Sequence, residues 1–255
     1  MKKKLIVLMV LLLALTCTAC TADAPRKTAV TVSYAADRAT VFENPFIGQA
    51  VWANLDDEEI EQPFTLVYAN LSWADFEPSE GVFDFASFET SNRFDHWRAA
   101  GKRIILRLVM DYPTSEKHTD IPQWLYDKTG DGGFYDIEYG KGYCPNYENE
   151  TLIAAHAKAV AALGERYDAD PFVAYVELGS LGHWGEWHVH EDAGSMPTAA
   201  VRERYAAAYA EAFPQTFLLL RRPFDFKSDR AFGLFNDSSA SLHYSAEWLD
   251  WIQNG

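Results

Sequence analysis

Residues 172–190 read FVAYVELGSLGHWGEWHVH, and this stretch decides the fold. An apolar, β-branched run (Phe172, Val173, Tyr175, Val176) turns abruptly into a glycine-punctuated loop. Runs of this length bounded by glycine read as buried strands. The loop carries Glu177, His183, Trp184, Glu186, Trp187, His188 and His190. In parallel α/β proteins, loops at the carboxyl ends of buried strands are where sites are built. Carboxylates among indoles point to sugar chemistry: indole faces stack on pyranose rings, and apolar walls raise a carboxyl pKa toward that of a working acid.

Outward from this stretch, strands are predicted at 46–52, 64–71, 103–110, 172–178, 215–221 and 231–236. Helical patterns lie between them at 86–100, 149–166 and 198–212, with another at 244–253. The first stops at Gly101, and the third opens on Thr198 as cap and ends before Pro214. Alternation of this kind implies α/β architecture with a parallel sheet, either a barrel or an open sheet. No glycine-rich phosphate loop follows the first strand, which weakens a nucleotide-binding fold. Polar and aromatic residues instead collect after nearly every strand: Trp73, Asp75 and Glu77, then Asp111 and Tyr112, the Glu186 loop, Arg222 and Asp225, and Asn236 with Asp237. One rim built from successive strand ends points to a (β/α)8 TIM-barrel type of fold. Only about six strands are visible, so the barrel is expected to be incomplete and C-shaped, and poorly soluble or associated in solution. Phe232 and Leu234 on one edge, and Ile47 or Val51 on the other, are expected to meet water.

The N-terminus, MKKKLIVLMVLLLALTCTAC, has a positive start, an apolar core from Leu5 to Leu15, and small residues before Cys20. That core is too short for a permanent membrane helix. The segment resembles a bacterial lipoprotein signal (1–19), which implies lipid on Cys20, with Cys17 as runner-up and plain secretory cleavage as the alternative. Residues 20–43 read as a tether, and 44–255 as the barrel domain, C-terminally truncated. The expected location is the bacterial cell surface, anchored to the membrane through the N-terminal lipid. If Cys17 leaves and Cys20 is acylated, Cys144 alone remains, so no internal disulfide forms. The formal charge of −15 falls near −18 without residues 1–19. This argues against nucleic acid or an anionic lipid surface as partner, and neutral ligands fit better. Eight tryptophans and 15% aromatic residues hint at ring stacking.

Several motifs carry a resemblance. WADFEPSEGVFDF (73–85) resembles a segment of β-galactosidase-like barrels, and VELGSLGHWGEWH (176–188) resembles the acid-bearing loop of β-amylases. The G..G.WGEW loop, Arg222-Pro223 and Gly233–Asp237 together are closer to an uncharacterised bacterial lipoprotein family with a glycoside-hydrolase-like barrel. The resemblance covers roughly 44–240 and implies a glycoside hydrolase acting on oligo- or polysaccharide. The Asn-Glu pair of retaining barrels is absent, because Val176 precedes Glu177.

Glu186 is therefore preferred as the acid, with Glu177 and Asp111 as candidates for the second carboxylate. The bland alternatives are a loop-tying acceptor for Glu186 and an acceptor from Arg107 or a backbone N–H for Glu177. Arg107, inward on an apolar strand, must be paired and is expected to orient a carboxylate. Trp73, His183, Trp184, Trp187, His188, Arg222, Asn236 and Asp237 are the candidate substrate-binding residues. Core or rim packing is the alternative for each tryptophan. Glu77 is expected to cap or pair locally. HxxExHxH across 183–190 lacks the helix that zinc-hydrolase motifs need, so no metal and no cofactor are assigned. Residues 129–147 read as a long loop or hairpin, a lid over the cleft. The competing function is a non-catalytic carbohydrate-binding lipoprotein on a degenerate barrel.

Overall fold

The computed structural model describes residue 33 and residues 50–56, 60, 63–224, 226, 231–236 and 241–254. Cys20, the signal segment, the tether apart from residue 33, Ile47, Asp225 and Asp237 lie outside the described residues. The elements run β1 (Ala50–Trp52), β2 (Leu66–Ser72), α1 (Trp73–Phe76), α2 (Phe85–Ser91), α3 (Phe94–Ala99), β3 (Arg103–Val109) and α4 (Gln123–Thr129). A hairpin of β4 (Gly133–Ile137) and β5 (Gly140–Cys144) follows, then α5 (Glu150–Tyr167), β6 (Val173–Glu177), α6 (Ala199–Ala212), β7 (Phe217–Leu220), β8 (Gly233–Leu234) and α7 (Leu242–Asn254).

Six strands form one sheet in the order β1-β2-β3-β6-β7-β8, every pair parallel. Apart from the inserted hairpin, the order follows the chain without reversal. That is the winding of a barrel wall, whereas a dinucleotide fold reverses at its centre. The fold is α/β with a TIM-barrel type of winding. Among the described residues no ladder joins β1 to β8, so the barrel is not closed.

The two sheet faces differ in chemistry. Val67, Ala69, Leu71, Ile104, Leu106, Leu108, Leu218 and Leu220 join the main core beneath the helices. On the other face, Leu66, Ile105 and Ala174 make a small second cluster with Tyr68 and Tyr175. This concave face is partly wet, and Phe217 is 71% exposed. Val51 is buried, contrary to expectation, because it points into the helix layer. Phe232 and Leu234 are half-buried.

One irregularity decides what the concave face carries. Ile104 pairs with Val173, but Ile105 pairs with Tyr175, so Ala174 is an extra residue in β6. A bulge shifts the alternation by one. Val173 and Val176 both reach the main core, while Tyr175 and Glu177 point to the concave side. Past the bulge, Asn70, Arg107, Glu177 and Leu219 stand in one row across four strands.

The helices show where local signals suffice. Asn149 caps α5, its side chain accepting from the Thr151 and Leu152 N–H groups at 2.8 and 3.3 Å. Leu152, Ala155, Ala159 and Leu163 are buried on one face. Gly164 permits close contact with α6, since a Cβ there would lie 2.2 Å from the Ala212 carbonyl oxygen. Thr198 precedes α6 but its side chain makes no cap bond, and its N–H donates to Glu148 at 2.6 Å instead. The pattern at 86–100 is two helices. Ser91 and Asn92 turn their side chains back onto the Phe88 carbonyl, and Arg93 adopts φ 54°, breaking the helix. Such back-bonding competes with helix propagation. The break lets Phe88 and Phe94 pack together at 5.3 Å.

His156 on α5 is buried, with Nε2 2.9 Å from the Ser180 hydroxyl, which lies 2.6 Å from the Tyr209 hydroxyl. Burial lowers its pKa to about 3. Between about pH 3 and 6.5 the unfolded chain binds a proton that the native state refuses, so stability rises with pH there. His156→Leu is expected to flatten this limb by up to roughly 1.4 kcal/mol per pH unit, measured by urea unfolding at a series of pH values. An unchanged slope would overturn the assignment.

Candidate active site

The 178–190 loop is built on a buried polar post. Asp111, just past β3, and His183 are both fully buried, with Asp111 Oδ2 2.9 Å from His183 Nδ1. The His190 N–H donates to His183 Nε2 at 3.1 Å, which places the histidine proton on Nδ1, toward Asp111. The Tyr135 hydroxyl of β4 donates to the other Asp111 oxygen. The Asp111 carbonyl accepts the Trp184 N–H at 2.7 Å.

Around this post the backbone is forced into rare conformations. Ser180, Trp184 and Trp187 have φ of 71°, 55° and 59°. Each costs on the order of 1–3 kcal/mol and persists only where the surroundings over-determine it. Here they do. Ser180 N–H donates to Leu108 O at 2.7 Å, Trp187 N–H to Leu181 O at 2.8 Å, and His183 N–H to His188 O at 2.9 Å. Gly182 is at φ 76°, where a Cβ would lie 2.2 Å from the His188 carbonyl oxygen.

The loop closes one wall of a cleft of about 1050 Å³ on the concave face. The cleft brings together Glu177, Glu186, Trp184, His188, Arg222 and Asn236. At its centre Arg107 Nε donates to Glu177 Oε2 at 2.6 Å, both side chains about 95% buried. The Tyr68 hydroxyl donates to the same oxygen at 2.8 Å. Arg107 Nη1 donates to the Trp184 carbonyl at 3.0 Å and lies 3.8 Å from Glu186 Oε1. Burial pulls the Arg107 guanidinium down, but the charge of Glu177, with the Tyr68 hydroxyl and the Glu186 charge, outweighs it, so it titrates above its ordinary value. Burial, then the Glu177 charge, pushes the Tyr68 hydroxyl well up. Glu186 is more open, its side chain 18% exposed.

Aromatic groups line the mouth. Tyr139, at the tip of the β4–β5 hairpin, sits 5.4 Å from the Trp184 ring and itself lines the cleft. His188 is pushed down to about 4 by burial and then by the Arg222 charge, so it is neutral at physiological pH.

Four proposed site residues take other places. Asp111 and His183 are sealed beneath the loop and line no part of the cleft; they position the loop. Trp73 is fully buried, its Nε1 donating to Glu77 at 2.7 Å. Glu77 also accepts from the Gly81 N–H at 2.7 Å, and burial raises its carboxyl pKa. Trp187 is 1% exposed, its Nε1 donating to the Leu178 carbonyl, so it offers no face to the cleft. Asp237 lies outside the described residues.

Tyr68, Asn70 and Tyr139 also line the cleft, a place no sequence motif assigned them. For the first two a signal existed: Leu66, Tyr68 and Asn70 alternate with Val67, Ala69 and Leu71, and the polar members mark the concave face. Arg221 and Arg222 both reach the cleft, although adjacent strand residues point apart. The alternation lapses because β7 ends at Leu220. Among the described residues, no group of three or more His, Cys, Asp or Glu is placed to hold a metal ion.

No family model matches the chain. No curated protein matches either. Solved structures similar to it include endo-glycoceramidase II from Rhodococcus sp., solved with a cellobiose-like imidazole, at 16% identity and TM-score 0.46 over 67% of this chain and 47% of that one. They also include the exo-β-1,4-mannosidase Op5Man5 from Opitutaceae bacterium strain TAV5, at 19% identity and TM-score 0.44 over 62% of this chain and 25% of that one. A psychrophilic glycoside hydrolase family 10 endo-β-1,4-xylanase is similar at 15% identity and TM-score 0.38, over 62% of this chain and 45% of that one. The chain spans less than half the length of each of these three glycoside hydrolases.

Proposed function

We propose that the cleft hydrolyses a glycosidic bond of an oligo- or polysaccharide, with Glu186 as general acid and Glu177 as the ionised partner. The observation that carries this is the unequal setting of the two carboxylates. One Glu177 oxygen takes hydrogen bonds from Arg107 and Tyr68 at 2.6 and 2.8 Å, two donors that favour the charged form. Glu186 meets the same guanidinium only at 3.8 Å and is more exposed. Two carboxyl groups in unlike settings are what acid–base cleavage needs. Glu186 would donate its proton to the leaving oxygen. Glu177 would activate water or attack the anomeric carbon, the separation of the two across the bound sugar setting inversion or retention. Trp184 and Tyr139 supply ring faces for stacking. The lipid on Cys20, the tether and surface location belong to the same proposal and rest on residues 1–43 alone.

Incubation with a panel of β- and α-linked oligosaccharides tests the chemistry. Glu186→Gln is expected to lower kcat by about 10²–10⁴-fold with the fold intact, and Glu177→Gln to lower kcat similarly together with a lower urea midpoint, because it leaves the buried Arg107 charge without its partner. Binding without turnover by the unaltered protein would favour the carbohydrate-binding alternative and remove the hydrolytic reading.

Arg107→Met strips the buried Glu177 of its counter-charge. A loss of about 3–5 kcal/mol is expected, read as a lower urea midpoint, and a further Glu177→Gln change should recover part of it. Additive losses would show that the pair is not coupled. For the anchor, Cys20→Ala is expected to move the protein from the membrane fraction to the soluble exported fraction, and unchanged partition would remove the lipid from the proposal.

A further inference from the structure

Beside the cleft lies a second, smaller cavity of about 380 Å³. His188 and Arg222 line both spaces, so the two adjoin through a shared wall. The small cavity has an unusual balance of charge for this chain. Acids outnumber bases 37 to 22 overall, yet among the described residues it is lined by Arg202 and Arg222 and by no Asp or Glu.

Neither arginine is neutralised by a carboxylate among the described residues. Arg202 Nη1 donates to the Pro197 carbonyl at 2.8 Å, and its guanidinium lies 4.9 Å from the Phe224 ring centre. The Arg222 guanidinium lies 5.3 Å from the Trp251 ring centre. Its Nε is buried without a hydrogen-bond partner among the described residues. An unsatisfied buried donor on a charged group costs about 1–3 kcal/mol or more, so an acceptor bound against it would be favoured. A guanidinium stacked on a ring keeps its edge N–H groups free for an anion, in a fork that fits carboxylate and sulfate. Met196, Phe224 and Trp251 give the same cavity an apolar side suited to a ring. Neutral His188 adds no competing cation.

We propose that this side cavity is a subsite for an anionic sugar. Arg202 and Arg222 hold the carboxylate or sulfate of one ring, and the adjoining ring lies in the cleft beside Glu177 and Glu186. The proposal rests on the hydrolytic reading only for the second ring; recognition of the anion stands by itself. It reverses, locally, the expectation from net charge that neutral ligands fit better.

Calorimetric titration of the whole protein with methyl β-glucuronide, methyl β-glucoside 6-sulfate and methyl β-glucoside is the test. One or both anionic sugars are expected to bind about tenfold tighter than the neutral one, and to weaken as salt rises. Whichever arm is tight names carboxylate or sulfate as the group. Arg202→Met and Arg222→Met are each expected to reduce the preference to about threefold or less, while Arg202→Lys keeps part of it. Thermal melting of each variant guards against loss of fold, and the preference of the unaltered protein needs no variant at all. Equal affinity for charged and neutral sugars, no binding of either anion, or a preference untouched in both Met variants would overturn the subsite. Anion-selective binding without cleavage of any glycoside would uphold the subsite while removing the hydrolytic function.

Discussion

The Arg107–Glu177 ion pair is the constraint around which the concave side is arranged. Two buried charges 2.6 Å apart must stay together, because neither is tolerable there alone. Arg107 sits on β3 and Glu177 at the end of β6, in register across the sheet. The pair therefore ties the Tyr68 hydroxyl, the Trp184 carbonyl and the approach of Glu186 to one point. It exists because Ala174 is an extra residue. In an unbulged β6, Glu177 would share a face with Val173 and turn toward the helices, leaving Arg107 without its close partner. A single bulge thus converts a core strand into the floor of a charged cleft, a recurrent use of bulges next to sites.

A second buried polar unit, Tyr135–Asp111–His183, holds the loop above that floor. It connects the β4–β5 hairpin, the end of β3 and the loop after β6, elements far apart in the chain. Its fully buried members leave no room for alternative loop positions, and the three residues with positive φ show how much is demanded of the backbone. The result is that Glu186 and Trp184 face the cleft while Trp187, one and three positions on, is locked in the core. Rigid support of this kind holds the Glu186 carboxyl within a small positional tolerance.

The distribution of charge follows the same logic. Acids dominate the chain as a whole, but the arginines of the concave side gather around Glu177, Glu186 and the side cavity. Net charge describes long-range behaviour toward large charged partners. It says little about a cavity a few ångströms wide, where two guanidinium groups decide the local field.

The amino-acid sequence by itself determined the strand positions, the α/β winding and the long helix α5, because apolar runs, Asn149 and the spacing of Leu152, Ala155, Ala159 and Leu163 are local signals. It also pointed to the 176–188 loop and to a carboxylate partner for Arg107, since a buried arginine must be paired. Only the tertiary structure decided which members of the loop meet the cleft. Residue type does not encode direction: Trp73, Trp187, Asp111 and His183 are as suited to a sugar site as Trp184 and Glu186, yet they are buried because strand register and positive-φ turns aim them inward. The Ala174 bulge and the end of β7 at Leu220 have no local marker in sequence, for they arise from the fit of one strand to its neighbours. The break at Arg93 likewise answers the need to bury Phe88 and Phe94 together, a demand set by the core rather than by the helix.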